Sequence, residues 1–152
     1  MKLKLILTVG VSNSSKTTWA EAYCKENPNT VNLSRDHYRY GIYSNSDLPK
    51  EVIEKEITWN IFNDFNRAIL AGNNVIISDG NLSRRSRSYW QRVIGMYGID
   101  LEYVVFQSAF NDIFFKNSEI HLLPQHVLVN QYNNYMDFIN SPPNPTVNYK
   151  FI

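Results

Sequence analysis

The sequence predicts an α/β fold, a parallel sheet of about four to five strands flanked by helices. Short apolar runs alternate with segments of helical periodicity along the whole chain. The run Val75-Ile76-Ile77 is continuously β-branched, as in a strand buried on both faces. Strands and helices follow one another singly, so neighbouring strands need crossover connections and a parallel sheet results. The 152 residues are 43% hydrophobic and 19% charged, enough to bury a core without staples and unlike a disordered chain. One domain over 1–152 is expected, with 141–152 as a Pro-rich C-terminal tail.

The elements follow in order. Leu3 to Val9 is an apolar strand leading into the loop Gly10 to Ser15, and not a signal peptide, since Lys4 interrupts a short run. Lys16 to Lys25 reads as a helix with Trp19, Ala22 and Tyr23 inward, stopped at Asn27-Pro28-Asn29. Thr30 to Leu33 is a short strand, and Ser34-Arg35-Asp36 caps a short helix from His37 to about Tyr43. Pro49 opens the longest helix, to about Ala71, with Ile53, Ile57, Ile61, Phe65 and Ile69 along one face and Val52, Phe62 and Ala68 widening it. After the strand at 75–79, Asn81-Leu82-Ser83 caps a helix through Tyr97, closed by Gly98. Leu101 to Phe106 is a further strand. Asn111 to Ser118 and Pro124 to Ile139 read as helices, the second with a buried stripe of Tyr132, Tyr135, Met136 and Ile139.

Composition excludes several classes. Lys+Arg 15 against Asp+Glu 14 gives no global attraction to nucleic acid. No apolar run reaches the ~18–20 residues of a membrane span, so no membrane partner is expected. The single cysteine, Cys24, offers no disulfide framework and fits a reducing cytoplasm. His37, His121 and His126 are spaced too irregularly for a metal site.

The chemistry concentrates between the first strand and first helix, in Gly10-Val11-Ser12-Asn13-Ser14-Ser15-Lys16-Thr17. This matches the Walker A pattern at its first glycine, its lysine and its hydroxyl, and departs at the second glycine, where Ser15 stands. Backbone N–H groups from Gly10, Asn13, Ser14, Ser15 and on to Thr18 would cradle phosphates at a helix N-terminus. Lys16 would reach the outer phosphates of ATP and Thr17 would bind Mg²⁺. A left-handed conformation at Ser15 would cost ~1–2 kcal/mol relative to glycine, whereas Asn13 tolerates one. Asp79 ends a hydrophobic strand, where a carboxylate holds Mg²⁺ directly or through water; it also suits a cap of the loop Gly80-Asn81, and the two roles can coexist.

With that loop in place, the chain resembles the 5′-kinase domain of T-even bacteriophage polynucleotide kinases. The resemblance runs through Leu5 to Gly10, Lys16-Thr17-Thr18-Trp19-Ala20, Arg35-Asp36-His37-Tyr38-Arg39, Val75 to Leu82, and the helix with Arg85 and Trp90. It implies transfer of the γ-phosphate of ATP, with Mg²⁺, to a 5′-hydroxyl of DNA or RNA. Asp36 then aligns with the general base, and Arg39 with the arginine on the acceptor's phosphate. Asp79 aligns with the aspartate orienting that arginine, and Arg85 falls on the acceptor side. The family's lid arginine falls at Ile120, in a nearly uncharged segment from Lys116 to Leu123 where Lys116 or His121 are the available substitutes. The chain ends at Ile152, so the family's phosphatase domain is not expected. A phage origin would put the protein in host cytoplasm.

Other readings stay open. Asp36 also suits a helix N-cap, and Arg39 a surface cation. Arg84, Arg85, Arg87 and Arg92, among Tyr89 and Trp90, either track a nucleic-acid backbone or solvate an outer helix face. The acceptor could instead be a nucleoside or a hydroxymethylated base in phage DNA. A P-loop domain that only binds nucleotide is favoured by Ser15 and Ile120. The sequence sets no oligomeric state.

Overall fold

The computed structural model describes residues 2–12, 14–107, 123–140 and 148–152. Five parallel strands, β1 (Lys4–Val9), β2 (Thr30–Leu33), β3 (Asn74–Ile77), β4 (Asp100–Val105) and β5 (Asn148–Phe151), form one sheet in the order β2-β3-β1-β4-β5. The helices are α1 (Lys16–Glu26), α2 (Arg35–Tyr40), α3 (Lys50–Leu70), α4 (Arg84–Tyr97) and α5 (Gln125–Asn140). β1 is central, in register with β3 at Leu5↔Val75 and with β4 at Leu5↔Leu101. The α/β architecture and the parallel sheet are as expected. No helix among the described residues is long and apolar enough to cross a membrane.

Side chains alternate across β1. Leu5, Leu7 and Val9 face a large core completed by Ile57 and Phe65 of α3, Trp90 and Val93 of α4, and Leu128 and Phe138 of α5. Ile6, with Ile76, Val104 and Phe106, faces a smaller one, covered by Ala20, Trp19, Tyr23 and Cys24 of α1. The interiors of β1 and β3 are buried on both faces, the pattern of central strands covered by helices on each side.

Local differences have physical reasons. The inward stripe of α1 is Trp19, Ala20, Tyr23 and Cys24, and Ala22 is exposed. On α3 the stripe holds from Ile57 to Ile69, but Val52 is exposed in the first turn. On α5 the buried positions are Leu128, Tyr135 and Phe138, while Met136 is exposed. α2 starts two residues earlier than expected, at Arg35, and ends at Tyr40.

The largest correction is at the C-terminal end. Residues 148–151 of the expected tail form an edge strand parallel to β4. Only Tyr149 is half-buried there, its ring 5.2 Å from that of Tyr103. One inward side chain in four residues leaves almost no hydropathy signal. The remainder of the expected tail, 141–147, and the helix expected at 111–118 lie outside the described residues.

Candidate active site

The loop after β1 crosses the loop after β3 at the carboxyl edge of the sheet. Gly10 N donates to Gly80 O at 3.1 Å. A Cβ on Gly10 would stand 2.7 Å from Ser14 Oγ and 3.0 Å from the Phe106 Cβ, so only glycine fits. Ser14 is buried, and Ser12 N donates to Gln131 Oε1 of α5 at 2.7 Å. Asn13 lies outside the described residues. Ser15 takes the N-cap of α1 at φ 71°, ψ 23°, the left-handed conformation that glycine supplies without strain.

The side chain of Lys16 turns back into this loop, its Nζ donating to Val11 O at 2.6 Å and Ser14 Oγ at 3.2 Å. Burial lowers its pKa to about 8, against the pull of the Asp79 and Asp36 carboxylates. No described carboxylate comes within ion-pair distance of it. Thr17 and Thr18 stand exposed on the first turn of α1, lining the same cleft.

Opposite the loop stands α2. Its N-cap Ser34 makes no side-chain cap; instead Asp79 Oδ1 accepts from Arg35 N at 2.8 Å, so a carboxylate from the end of β3 caps the helix. Burial raises the Asp79 pKa, and the Arg35 N–H and guanidinium oppose that rise. Asp79 therefore neither caps Gly80-Asn81 nor holds Arg39. The turn after it is fixed by Asn81, at φ 47°, whose amide donates to Thr8 O at 2.9 Å and Ile77 O at 3.1 Å.

Arg39 is oriented by Glu54 of α3, a residue the sequence did not single out. Arg39 Nε donates to Glu54 Oε1 at 2.7 Å and its Nη2 to Oε2 at 3.0 Å, while Nη1 bonds Asp36. Arg35 Nη2 donates to the same Oε2 at 2.7 Å and to Glu54 O at 2.7 Å. These bonds, Arg39 first, lower the Glu54 pKa to about 2 against the opposing effect of burial. Glu54 takes one edge of the Arg39 guanidinium and leaves the Nη1 side shared with an exposed Asp36 carboxylate. Tyr38, between them in sequence, is buried and donates to Asp64, which fastens α2 onto α3.

Loop and helix enclose one cleft of about 580 Å³, lined by Gly10, Ser14 to Thr18, Asp36, Arg39 and Asp79, and also by Tyr40, Ser78 and Gln131. The structure thus brings together the predicted loop, base, arginine and strand-end carboxylate. It does not bring Arg85, which is exposed on α4 and does not line the cleft.

Two arginines of the basic cluster are engaged within the fold, while Arg85 and Arg92 are exposed. Arg87 donates to Leu82 O at 2.6 Å and lies 4.7 Å over the Phe138 ring, and Arg84 pairs with Asp137 at 3.4 Å. Trp90 is buried against Phe65, so it offers no stacking face. Cys24 is half-buried with a raised pKa, as a core thiol should be. Ile120, Lys116 and His121 lie outside the described residues, while Leu123 lines the cleft.

A glycine-started loop and lysine after the central strand of a 2-3-1-4-5 parallel sheet, with a carboxylate at the end of the adjacent strand, define a P-loop kinase fold. The family model described as AAA domain matches residues 5–112, and the chain belongs to that family. It is 28% identical over 102 residues to a protein named as a bifunctional polynucleotide kinase/RNA ligase of Autographa californica nuclear polyhedrosis virus, covering 59% of this chain and 14% of that protein. A chain of the Pnkp1/Rnl/Hen1 RNA repair complex superimposes with TM-score 0.78 at 21% identity, over 93% of this chain and 47% of that one. The APS kinase CysC of Mycobacterium tuberculosis, in complex with AMPPNP and APS, superimposes with TM-score 0.56 at 19% identity, over 76% and 69% of the two chains. The resemblance to polynucleotide kinases read in the sequence is thus found again in a relative and in a shared fold. The chain spans 14% and about half of the first two proteins' lengths.

Proposed function

We propose that the protein is an ATP-dependent kinase acting on a 5′-hydroxyl of DNA or RNA. The observation that carries this reading is the shared cleft: phosphate loop on one wall, Asp36 and Arg39 on the other. A domain that only held nucleotide would have no use for an arginine fixed by Glu54 beside an exposed carboxylate.

The residues present fit ATP and Mg²⁺. Among the described residues the Lys16 ammonium hydrogen-bonds only neutral oxygens, so a polyphosphate would supply a close counter-charge. Ser78 Oγ, buried beside Asp79 and lining the cleft, has no partner among the described residues, an orphaned oxygen suited to a bound water or phosphate. No group of three His, Cys, Asp or Glu gathers among the described residues. Thr17 and Asp79 would therefore hold a cation whose other ligands are phosphates and water, as Mg²⁺ prefers. When bound, Mg²⁺ neutralises charge developing between the β- and γ-phosphates.

Asp36 orients the acceptor hydroxyl and accepts its proton as the O5′–phosphorus bond forms and the bond from phosphorus to the bridging oxygen breaks. A weak base suffices here, because the transition state is loose and the proton moves late. Arg39 presents its Nη1 side to the acceptor's phosphate, and this draws it from Asp36 and frees the carboxylate for the hydroxyl. Lys16 follows the γ-phosphate, and the left-handed turn at Ser15 brings the helix amides to the loop.

The test is transfer of labelled γ-phosphate from ATP·Mg²⁺ to a 5′-hydroxyl oligonucleotide. Label that vanishes in Lys16→Ala is the expected result; no label on any oligonucleotide overturns the reading. A second reading, a nucleotide-binding domain without transfer, is favoured by the Ser15 side chain and by the Ser12 amide already taken by Gln131. It predicts ATP binding by calorimetry with no transfer.

A further inference from the structure

We infer that Tyr40 is a stacking platform for the nucleobase of the acceptor's 5′-terminal nucleotide, an inference that rests on the polynucleotide kinase reading. Tyr40 is the last residue of α2 and is 73% exposed, yet it lines the cleft beside Asp36 and Arg39. Residues 36, 39 and 40 stand at i, i+3 and i+4, so they share one face of the helix. Among the described residues the Tyr40 ring meets no other ring and its hydroxyl makes no hydrogen bond. Its neighbours in sequence are engaged: Tyr38 is buried on Asp64, and Tyr43 accepts from Asn60 at 2.8 Å. Tyr40 follows Arg39 directly on α2 and lines the same cleft, which puts the ring on the side of the fork proposed for the acceptor's phosphate.

One helix face therefore offers a carboxylate for the hydroxyl, a guanidinium for the phosphate and a flat ring for the base. Burial does not account for the ring, since its exposure contributes little to the core. Stacking tolerates any base, because each has a π-face, so the enzyme discriminates a base from no base rather than one base from another. The sequence hid this residue because the basic, aromatic pattern of α4 carries the stronger local signal.

The experiment uses 5′-hydroxyl oligonucleotides with 2-aminopurine at the 5′-terminal position, and matched ones with an abasic 5′-terminal residue. These are measured against the wild type, Tyr40→Phe and Tyr40→Ala. Quenching of 2-aminopurine fluorescence is expected on wild type and Tyr40→Phe and not on Tyr40→Ala. The acceptor KM should rise about tenfold in Tyr40→Ala, with the KM for ATP unchanged. The abasic acceptor should show the same rise on wild type and no further rise in the variant. Unaltered fluorescence at saturating wild-type protein overturns the inference, as does a Tyr40→Ala penalty that persists with the abasic acceptor. Because fluorescence needs no turnover, quenching without transfer would retain the platform and overturn only the kinase reading.

Discussion

The two walls of the cleft are built by different physics. The wall on α2 and α3 is held by charged side chains, with Glu54 clasping both Arg35 and Arg39 and Asp79 capping the helix from another strand. The wall after β1 is held by backbone, with Gly10 against Gly80, a left-handed Ser15, and a lysine resting on neutral oxygens. The first is satisfied without a ligand and needs only a small exchange of partners to engage one. On the second, Lys16 has no carboxylate within ion-pair distance among the described residues, and on the proposed function the phosphates of ATP complete it. Charge on one wall can be tuned by single substitutions, whereas the other tolerates few changes because its geometry is the site.

The strongest way to break this contrast is Asp36→Asn. Transfer should fall at least about 100-fold, the usual reach of a positioned base, while calorimetric ATP affinity stays near wild type. An unchanged rate would remove Asp36 from the chemistry. Next is Glu54→Gln, which weakens the clasp but keeps the shape. The acceptor KM should rise about tenfold, the scale of one charge-assisted hydrogen bond, with ATP affinity unchanged. In the wild type, folded Glu54 titrates at about 2 rather than its usual 4.5. The stability it supplies is therefore present above about pH 4.5 and lost as pH falls toward 2. Acid melts of the Gln variant should lack that limb, and identical acid profiles would deny Glu54 its role.

On the other wall, Lys16 titrates near pH 8 without ligand. Phosphate favours its charged form, so ATP binding should take up a proton near and above pH 8, and affinity should fall as pH rises through that range. Calorimetry in buffers of different ionisation enthalpy reads the proton directly; no uptake would mean that Lys16 is not at the phosphates. The smallest expected effect is Ser15→Gly. Relief of the left-handed strain, partly offset by the freer unfolded chain, should raise stability by about 0.5–1 kcal/mol in thermal melts. A loss of stability would contradict the strain.

What could be read in the sequence follows the same division. The phosphate loop was legible because its features are local: an apolar strand, a glycine, a lysine and a hydroxyl within eight residues, and even the cost at Ser15 follows from backbone alone. Asp36 and Arg39 were legible as one turn of helix. Glu54 was not, since it stands 15 residues beyond Arg39 and meets it only through the crossing of α2 and α3. Nor was the duty of Asp79, which lies 44 residues from the amide it caps. The α4 arginines left two readings open for the converse reason, because a local run of charge says nothing of Asp137 or the Leu82 carbonyl, which engage Arg84 and Arg87. β5 escaped because an edge strand with one inward ring carries no periodicity.

The central position of β1 sets the order in which the protein can assemble. Its neighbours arrive late in the chain, at Val75 on one side and Asp100 on the other. The strand that carries the phosphate loop thus emerges early and waits for both partners, with an apolar ladder open along each edge. Such non-local parallel pairing slows folding, and an unpaired apolar edge invites association with other chains. A nascent chain stalled before β4 would leave the β1 edge that pairs with β4, from Lys4 to Val9, without its partner.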